Sequence, residues 1–400
     1  MQNEKVVSKD HRVEVVPRPP QLTASAPPVL VLAFDRPALL EQVLASLAAQ
    51  QPPLDPGRLH LVLDAAYCPY RDALLADPAA LDRAALVFRR VFPAGHIHRA
   101  RQNLGVALNY DRAERLAFET LGAEVAYFLE DDLVLSPHYL ATLDRLAALA
   151  LADERVGYVA AYGNHRLDVA EQQARRDELA QIEHLWGYAL TRRHWAERQP
   201  LWQDYLALLA GRNYRDRPHQ LILEHWWRQG AGVEVSSQDG AKVACCQVLG
   251  RVRLNTVAVL ARNIGEYGLH FVPEDFRSAG YHLTQMLPLD APLEALALPD
   301  EAGMAALLAA DRAEAQAGHR VPPPLRRVWP PQALPLDAAG LVTLLYRTLL
   351  GREPDPSGLA AHVQELDQGQ CDPTQLAQGF LQSDEFKQML GHVGLSPPQV

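Results

Sequence analysis

From residue 29 onward, short continuous apolar runs alternate with helical patterns. The run VLVLAF (29–34) has no polar position, as expected of a strand buried on both faces of a parallel sheet. Pro37 suits a first helical turn, and Leu39, Leu40, Val43, Leu44 and Leu47 follow at helical spacing. LHLVLD (59–64) is a second buried run and ends on a carboxylate. Residues 95–105 predict a short third strand and a turn. Residues 106–121 predict a helix with Leu108, Ala113, Leu116 and Ala117 on one side. VAYFLEDD (125–132) predicts a fourth strand that ends on acids. Strands alternating with helices predict an α/β fold with a mostly parallel sheet. Ligands of such sheets bind beyond the carboxyl ends of the strands, and Asp35, Asp64, Asp131 and Asp132 all fall there.

The rest of the chain divides by pattern. Residues 1–28 read as a flexible arm, charged and then proline-rich. Residues 137–285 mix helices with short strands, and the α/β domain is expected to span 29–287. Prolines crowd 288–339, which predicts a linker with one short helix at about 300–316. Residues 340–390 read as a separate small all-α domain around a Gly/Pro turn.

Composition removes several classes of function. The 400 residues are 48% hydrophobic and 22% charged, enough apolar material for a sizeable core. The net charge of −10 leaves no basic excess to neutralise nucleic-acid phosphates or to anchor at an anionic membrane. No apolar stretch is long enough for a membrane span, and no secretory signal is visible. Four cysteines, none in a C-x-x-C pair, predict reduced thiols and a cytoplasmic location.

The central chemical feature is Glu130-Asp131-Asp132 after the fourth strand. Hard divalent cations such as Mg²⁺ and Mn²⁺ favour oxygen ligands and leave positions for substrate phosphates. Carboxylates at a strand end suit that chemistry. A solvated acidic turn is the competing reading of the triplet taken by itself. Asn103 and Gly105 form a turn where backbone approaches closely, which suits glycine. Trp186, Trp195, Trp226 and Trp227 read singly as core packing, with stacking on a ligand as the rival reading.

Three segments, VLVLAFDRPALLEQVLASL, RQNLGVALNY and VAYFLEDDLVLSPHYL, together resemble the GT-A fold glycosyltransferases, in particular the bacterial branch related to the N-acetylglucosaminyltransferase-I type. That branch carries FNRP after its first strand, where this chain has Asp35-Arg36-Pro37, then NLG, then EDD as its version of D-x-D. HLWGYALTRRHW (184–195) is similar to its W-G-W-A-x-x-R-x-x-W segment, with Tyr188 at the second Trp. SSQDGAKVA (236–244) stands where the branch has WDYQW. ARNIGEYGLH (261–270) matches its N-I-G-x-x-G-x-H ending. The motifs occur in family order over 29–285.

The resemblance implies a Rossmann-like GT-A domain that transfers a sugar, with inversion, from a nucleotide-diphosphate donor to a hydroxyl of a glycan or protein. It implies Mn²⁺ or Mg²⁺ and, by the family default, a UDP-sugar. Asp132 would be the metal ligand and His270 a second metal or pyrophosphate contact, unless His270 is a packed core histidine. Glu130 and Asp131 would meet the donor ribose and its surroundings. Asp64 would read the nucleobase, or else cap a turn. Arg36 would contact the diphosphate, or else be a surface cation. Asn103, Gly105, Asn263 and Gly265 would line the donor site, with 263–268 as a lid, or else an ordinary surface turn. Asp239 would take the acceptor's proton, with an N-cap as the rival reading and Glu224 and Asp275 in reserve.

YRTLLGREPDPSG followed by FLQSDEF, within about 340–388, resembles a small helical domain of unknown function, and implies an adaptor for an acceptor or partner protein. Two other functions are alternatives. A nucleotidyltransferase would carry a glycine-rich, basic first loop, and Asp35-Arg36-Pro37 has no glycine. A non-catalytic sugar- or nucleotide-binding protein would not need the acid triplet.

Overall fold

A computed structural model describes residues 26–182, 184–267, 272–320 and 337–387. The chain divides into two units, residues 1–323 and 324–400.

The first unit is built on an eight-stranded sheet. Its strands are β1 (Val29–Ala33), β2 (Leu59–Leu63), β3 (His96–Arg99), β4 (Val125–Glu130), β6 (Val156–Ala160), β7 (Leu179–Gln181), β8 (Tyr188–Thr191) and β9 (Val252–Thr256). The order across the sheet is β3-β2-β1-β4-β8-β6-β9-β7. Strands β3, β2, β1, β4, β6 and β9 run one way, and β8 and β7 run against them. Every residue of β1, β2 and β6 is buried, as continuous apolar runs require. A small two-stranded pair, β5 (Leu133–Leu135) with β10 (Ala261–Asn263), stands just past the end of β4.

Helices cover the sheet. After β1, α1 (Pro37–Ala48) opens on a proline at its first position and buries Leu40, Val43, Leu44 and Leu47. α2 (Pro78–Val91) packs beside it, and Asp77 caps its start. α3 (Gly105–Arg115) continues through a π turn, Leu116–Thr120, into β4. α4 (Tyr139–Ala152) follows β5. Three further helices, α5 (Arg192–Leu208), α6 (His219–Arg228) and α7 (Gln238–Leu249), enclose a second core around Trp202, Tyr205 and Trp226.

Residues 288–320, expected as linker, are packed in the first unit. Leu293, Leu296 and Met304 are fully buried in the main core. Helix α8 (Glu301–Arg320) sends Asp311 against Arg253 of β9, with oxygen–nitrogen distances of 2.9 and 3.1 Å, and both side chains are buried.

The second unit is α9 (Ala338–Leu349), α10 (Pro356–Asp367) and α11 (Pro373–Gln382). Val342, Tyr346, Leu376 and Phe380 form its core. Asp337, Asp355 and Asp372 cap the three helices. Among the described residues no helix is long and apolar enough to cross a membrane.

Candidate functional site

The carboxyl ends of β1 and β4 are neighbours in the sheet, so Arg36 and the triplet Glu130-Asp131-Asp132 meet there. The Arg36 guanidinium pairs with Asp131 and lies 2.8 Å from Oδ2 of Asp132. Phe34 donates its backbone N–H to Asp131 Oδ2 at 3.3 Å, and Tyr110 of α3 donates its hydroxyl to Glu130 Oε1 at 3.0 Å. Asp131 and Asp132 are both buried. Burial pushes the Asp131 carboxyl up, against the pull of Arg36. Burial first, then the neighbouring Asp132 and Asp239, push Glu130 up as well. Burial alone would lower the Arg36 pKa, but Asp131 and Asp132 more than offset it and the net shift is upward.

The chain after β10 closes over this group. Asn263 ends β10 opposite Leu133, and its Oδ1 accepts the Gly265 N–H at 2.7 Å. The Ile264 N–H donates to the Asp132 carbonyl at 2.8 Å, and Arg36 donates to the Tyr267 carbonyl at 3.3 Å. A methyl group on Gly265 would lie 2.1 Å from Asp132 Oδ2, so glycine is what lets this backbone reach the carboxylate. Residues 268–271, and with them His270, lie outside the described residues.

Asp64 and Asn103 bond to each other and to the backbone around them. Oδ1 of Asp64 accepts the N–H groups of Ala65 at 2.8 Å and Leu104 at 2.9 Å. Its Oδ2 accepts Gly105 N–H at 3.0 Å and Asn103 Nδ2 at 3.2 Å. Both oxygens are engaged, and they fasten the start of α3 to the end of β2. Asn103 also donates to the Ala65 carbonyl at 2.9 Å. Gly105 has a φ of +71°, and a side chain there would meet Tyr214 Cβ at 2.6 Å. These contacts hold the turn before α3 against the end of β2.

Asp239 lies in the first turn of α7. The cap of that helix is Ser237, whose Oγ accepts the Gly240 N–H at 3.1 Å, so Asp239 is free of the capping role. Its Oδ1 accepts Gln238 Nε2 at 2.5 Å. Burial raises its pKa, with Lys242 pulling the other way. The reserve carboxylates lie elsewhere: Glu224 pairs with Arg228 along α6, and Asp275 is exposed. Trp195, against Phe118, and Trp226, in the second core, are buried. Trp227 donates to the Val233 carbonyl at 3.1 Å. Trp186 differs. β8 begins where β4 ends, so Trp186 stands at the same sheet edge as the acids, half-buried and stacked on His184 at 4.5 Å between ring centroids, with Tyr281 at 5.1 Å.

Tyr110 and Lys242 are among the residues of this region that escaped the sequence reading. Lys242 is fully buried in α7 and donates to the Tyr188 hydroxyl at 2.8 Å. The signal was a single charge inside the apolar run AKVACC.

The fit to a divalent cation rests on Asp132. Its Oδ1 is buried without a hydrogen-bond partner, and the guanidinium of Arg36 already supplies positive charge to the same carboxylates. Among the described residues, no three His, Cys, Asp or Glu side chains converge on one point. A cation held by one or two carboxylates and completed by substrate phosphates needs no such cage.

Residues 335–390 match the model of a family described as a domain of unknown function, DUF4214. No curated relative matches the sequence. Among solved structures the chain is similar to the mannosyltransferase PcManGT from Pyrobaculum calidifontis in complex with GDP-Man and Mn²⁺. The identity is 16%, over 91% of this chain and 88% of that one, with a TM-score of 0.36. It is also similar to S. aureus TarS 1–349, at 14% identity over 86% and 92% with a TM-score of 0.34. A third is the apo bifunctional glycosyltransferase WbbM, at 11% identity over 75% of this chain and 45% of that one, with a TM-score of 0.23.

Proposed function

We propose that the first unit is a GT-A glycosyltransferase that moves a sugar from a nucleotide-diphosphate donor to a hydroxyl of a glycan or protein. The observation that carries this reading is the Arg36–Asp131–Asp132 cluster at the carboxyl edge of the sheet, with Gly265 packed onto Asp132 and one Asp132 oxygen unpartnered.

Asp132 would hold Mn²⁺ or Mg²⁺, which when bound neutralises charge on the departing diphosphate. Arg36 meets the same diphosphate. Glu130 and Asp131 face the donor ribose, with Tyr110 fixing the Glu130 carboxyl. Asp64, Asn103 and Gly105 shape the nucleobase end through the loop they hold. Asn263 and Gly265 form the wall over the donor. Trp186, with His184 and Tyr281, offers an aromatic face to the acceptor sugar. Asp239 takes the proton as the acceptor oxygen bonds to the anomeric carbon. The anomeric carbon–phosphate oxygen bond breaks, and its electron pair leaves with the diphosphate, inverting the centre. The donor is a UDP-sugar carrying a hexose or N-acetylhexosamine, and the C-terminal helical unit docks a partner or acceptor.

The test is release of nucleoside diphosphate from a panel of nucleotide sugars with Mn²⁺. One donor is expected to turn over, and EDTA to stop it. Release of pyrophosphate instead, or no calorimetric binding of any donor, overturns the reading.

A further inference from the structure

Beneath the acid cluster runs a buried polar chain that crosses five elements, β4, α3, α7, β8 and α5. Glu130 of β4 accepts from Tyr110 of α3. The Lys242 ammonium, from α7, lies 3.5 Å from the centre of the Tyr110 ring and 4.8 Å from that of Tyr188, with Trp202 of α5 at 6.0 Å. It donates to the Tyr188 hydroxyl at 2.8 Å, and that hydroxyl faces Glu114 of α3 at 3.5 Å. Glu114 is paired with Arg198 of α5, and both are fully buried. Asp239 stands one helical turn before Lys242 on α7. The charged or titratable groups facing this ammonium are therefore Glu114, Asp239, Arg198 and Glu130, and the tyrosines that cage it.

Arg198 pairs with Glu114, and the Lys242 charge is shared between Glu114 and the Asp239 carboxyl of the site. The residue type is informative. The chain has four lysines, Lys5, Lys9, Lys242 and Lys387, and uses arginine at every other basic position. The compact Lys242 ammonium lies over two aromatic rings, those of Tyr110 and Tyr188.

Resting on the glycosyltransferase reading, we infer that Lys242 is a positioning residue: its caged ammonium is the counter-charge of Asp239 and holds the Tyr110 ring so that its hydroxyl stays on Glu130. Burial lowers Lys242 to about 8, against the pull of Glu114 and Asp239. A lysine so placed still carries its charge at neutral pH.

The experiment is a double-mutant cycle in the full chain with Lys242→Met, Asp239→Asn and both together. Urea midpoints at pH 7 are read for all four proteins, and turnover against pH for the wild type and Lys242→Met. Lys242→Met is expected to destabilise less when Asp239 is already Asn. Its turnover is expected to fall at least tenfold with donor KM within threefold of wild type, and the acid limb of its pH profile to move up by about one unit, because Asp239 loses its counter-charge. Equal destabilisation in both backgrounds, with an unmoved pH limb, overturns the inference. If Lys242→Met does not fold, a folded double variant supports it, and an unfolded double variant overturns it by making the role one of packing. Should wild-type protein turn over no nucleotide sugar, the glycosyltransferase reading fails, while the stability cycle still decides whether Lys242 and Asp239 are paired charges.

Discussion

A methyl group on Gly265 would lie 2.1 Å from Oδ2 of Asp132, so the loop after β10 is packed directly on the carboxylate assigned to the cation. Gly265→Ala forces either the loop or the carboxylate to move. Donor affinity in the presence of Mn²⁺ is expected to fall at least tenfold by calorimetry, with a change in Tm of only a few degrees. Unchanged affinity would mean that the loop does not shape the donor site.

Asp239 is released from capping by Ser237 and has its pKa raised by burial, two conditions a general base favours. Asp239→Asn is expected to leave donor binding intact and to cut turnover about a hundredfold or more, the usual scale of such a group. Wild-type turnover in this variant moves the base elsewhere.

Acid stability is expected to depend on two buried histidines. Burial, then His96 and His98, lower His60 to about 4. Burial, then the Arg198 charge, lower His194 to about 4, against the pull of Glu197. A histidine with a lowered folded pKa stabilises the protein fully above its unfolded value near 6.5. That contribution is lost as pH falls from about 6.5 through about 4. For the fully buried His194 it amounts to at most about 3 kcal/mol. Carboxyl groups raised by burial, such as Glu130 and Asp131, work in the opposite sense and lose stability as pH rises. His194→Gln is expected to flatten the fall in Tm between pH 6.5 and 4. An unchanged slope would remove His194 from the acid transition.

Removing Asp311 leaves the Arg253 charge buried alone. Asp311→Ala is expected to cost about 3–5 kcal/mol in urea unfolding, and Arg253→Met added to it to restore much of the loss. The same packing predicts that a chain ending at 287 fails to fold, since Leu293, Leu296 and Met304 leave the core, while one ending at 323 folds. Equal stability of the two truncations would contradict it.

These contacts explain which parts of the molecule were legible in its sequence. Strands β1, β2 and β4 were visible because continuous apolar runs that end on acids are local signals. The order of strands beyond β4 was not visible. β8 is four residues long and sits between β4 and β6 through pairings made far along the chain. Asp64 carried two readings because its partners, Leu104 and Gly105, lie some forty residues on. The segment from 288 to 320 read as linker because prolines are obvious in a sequence, whereas a buried Arg253–Asp311 pair is not.

The central claim is that Asp132 holds a cation against a nucleotide diphosphate. Calorimetry of nucleoside diphosphate binding, with and without Mn²⁺, tests it directly on the wild type and Asp132→Ala. Binding that requires Mn²⁺ in the wild type and disappears in Asp132→Ala, with Tm preserved, is the predicted result. Equal Mn²⁺-dependent affinity in the two proteins would contradict the account.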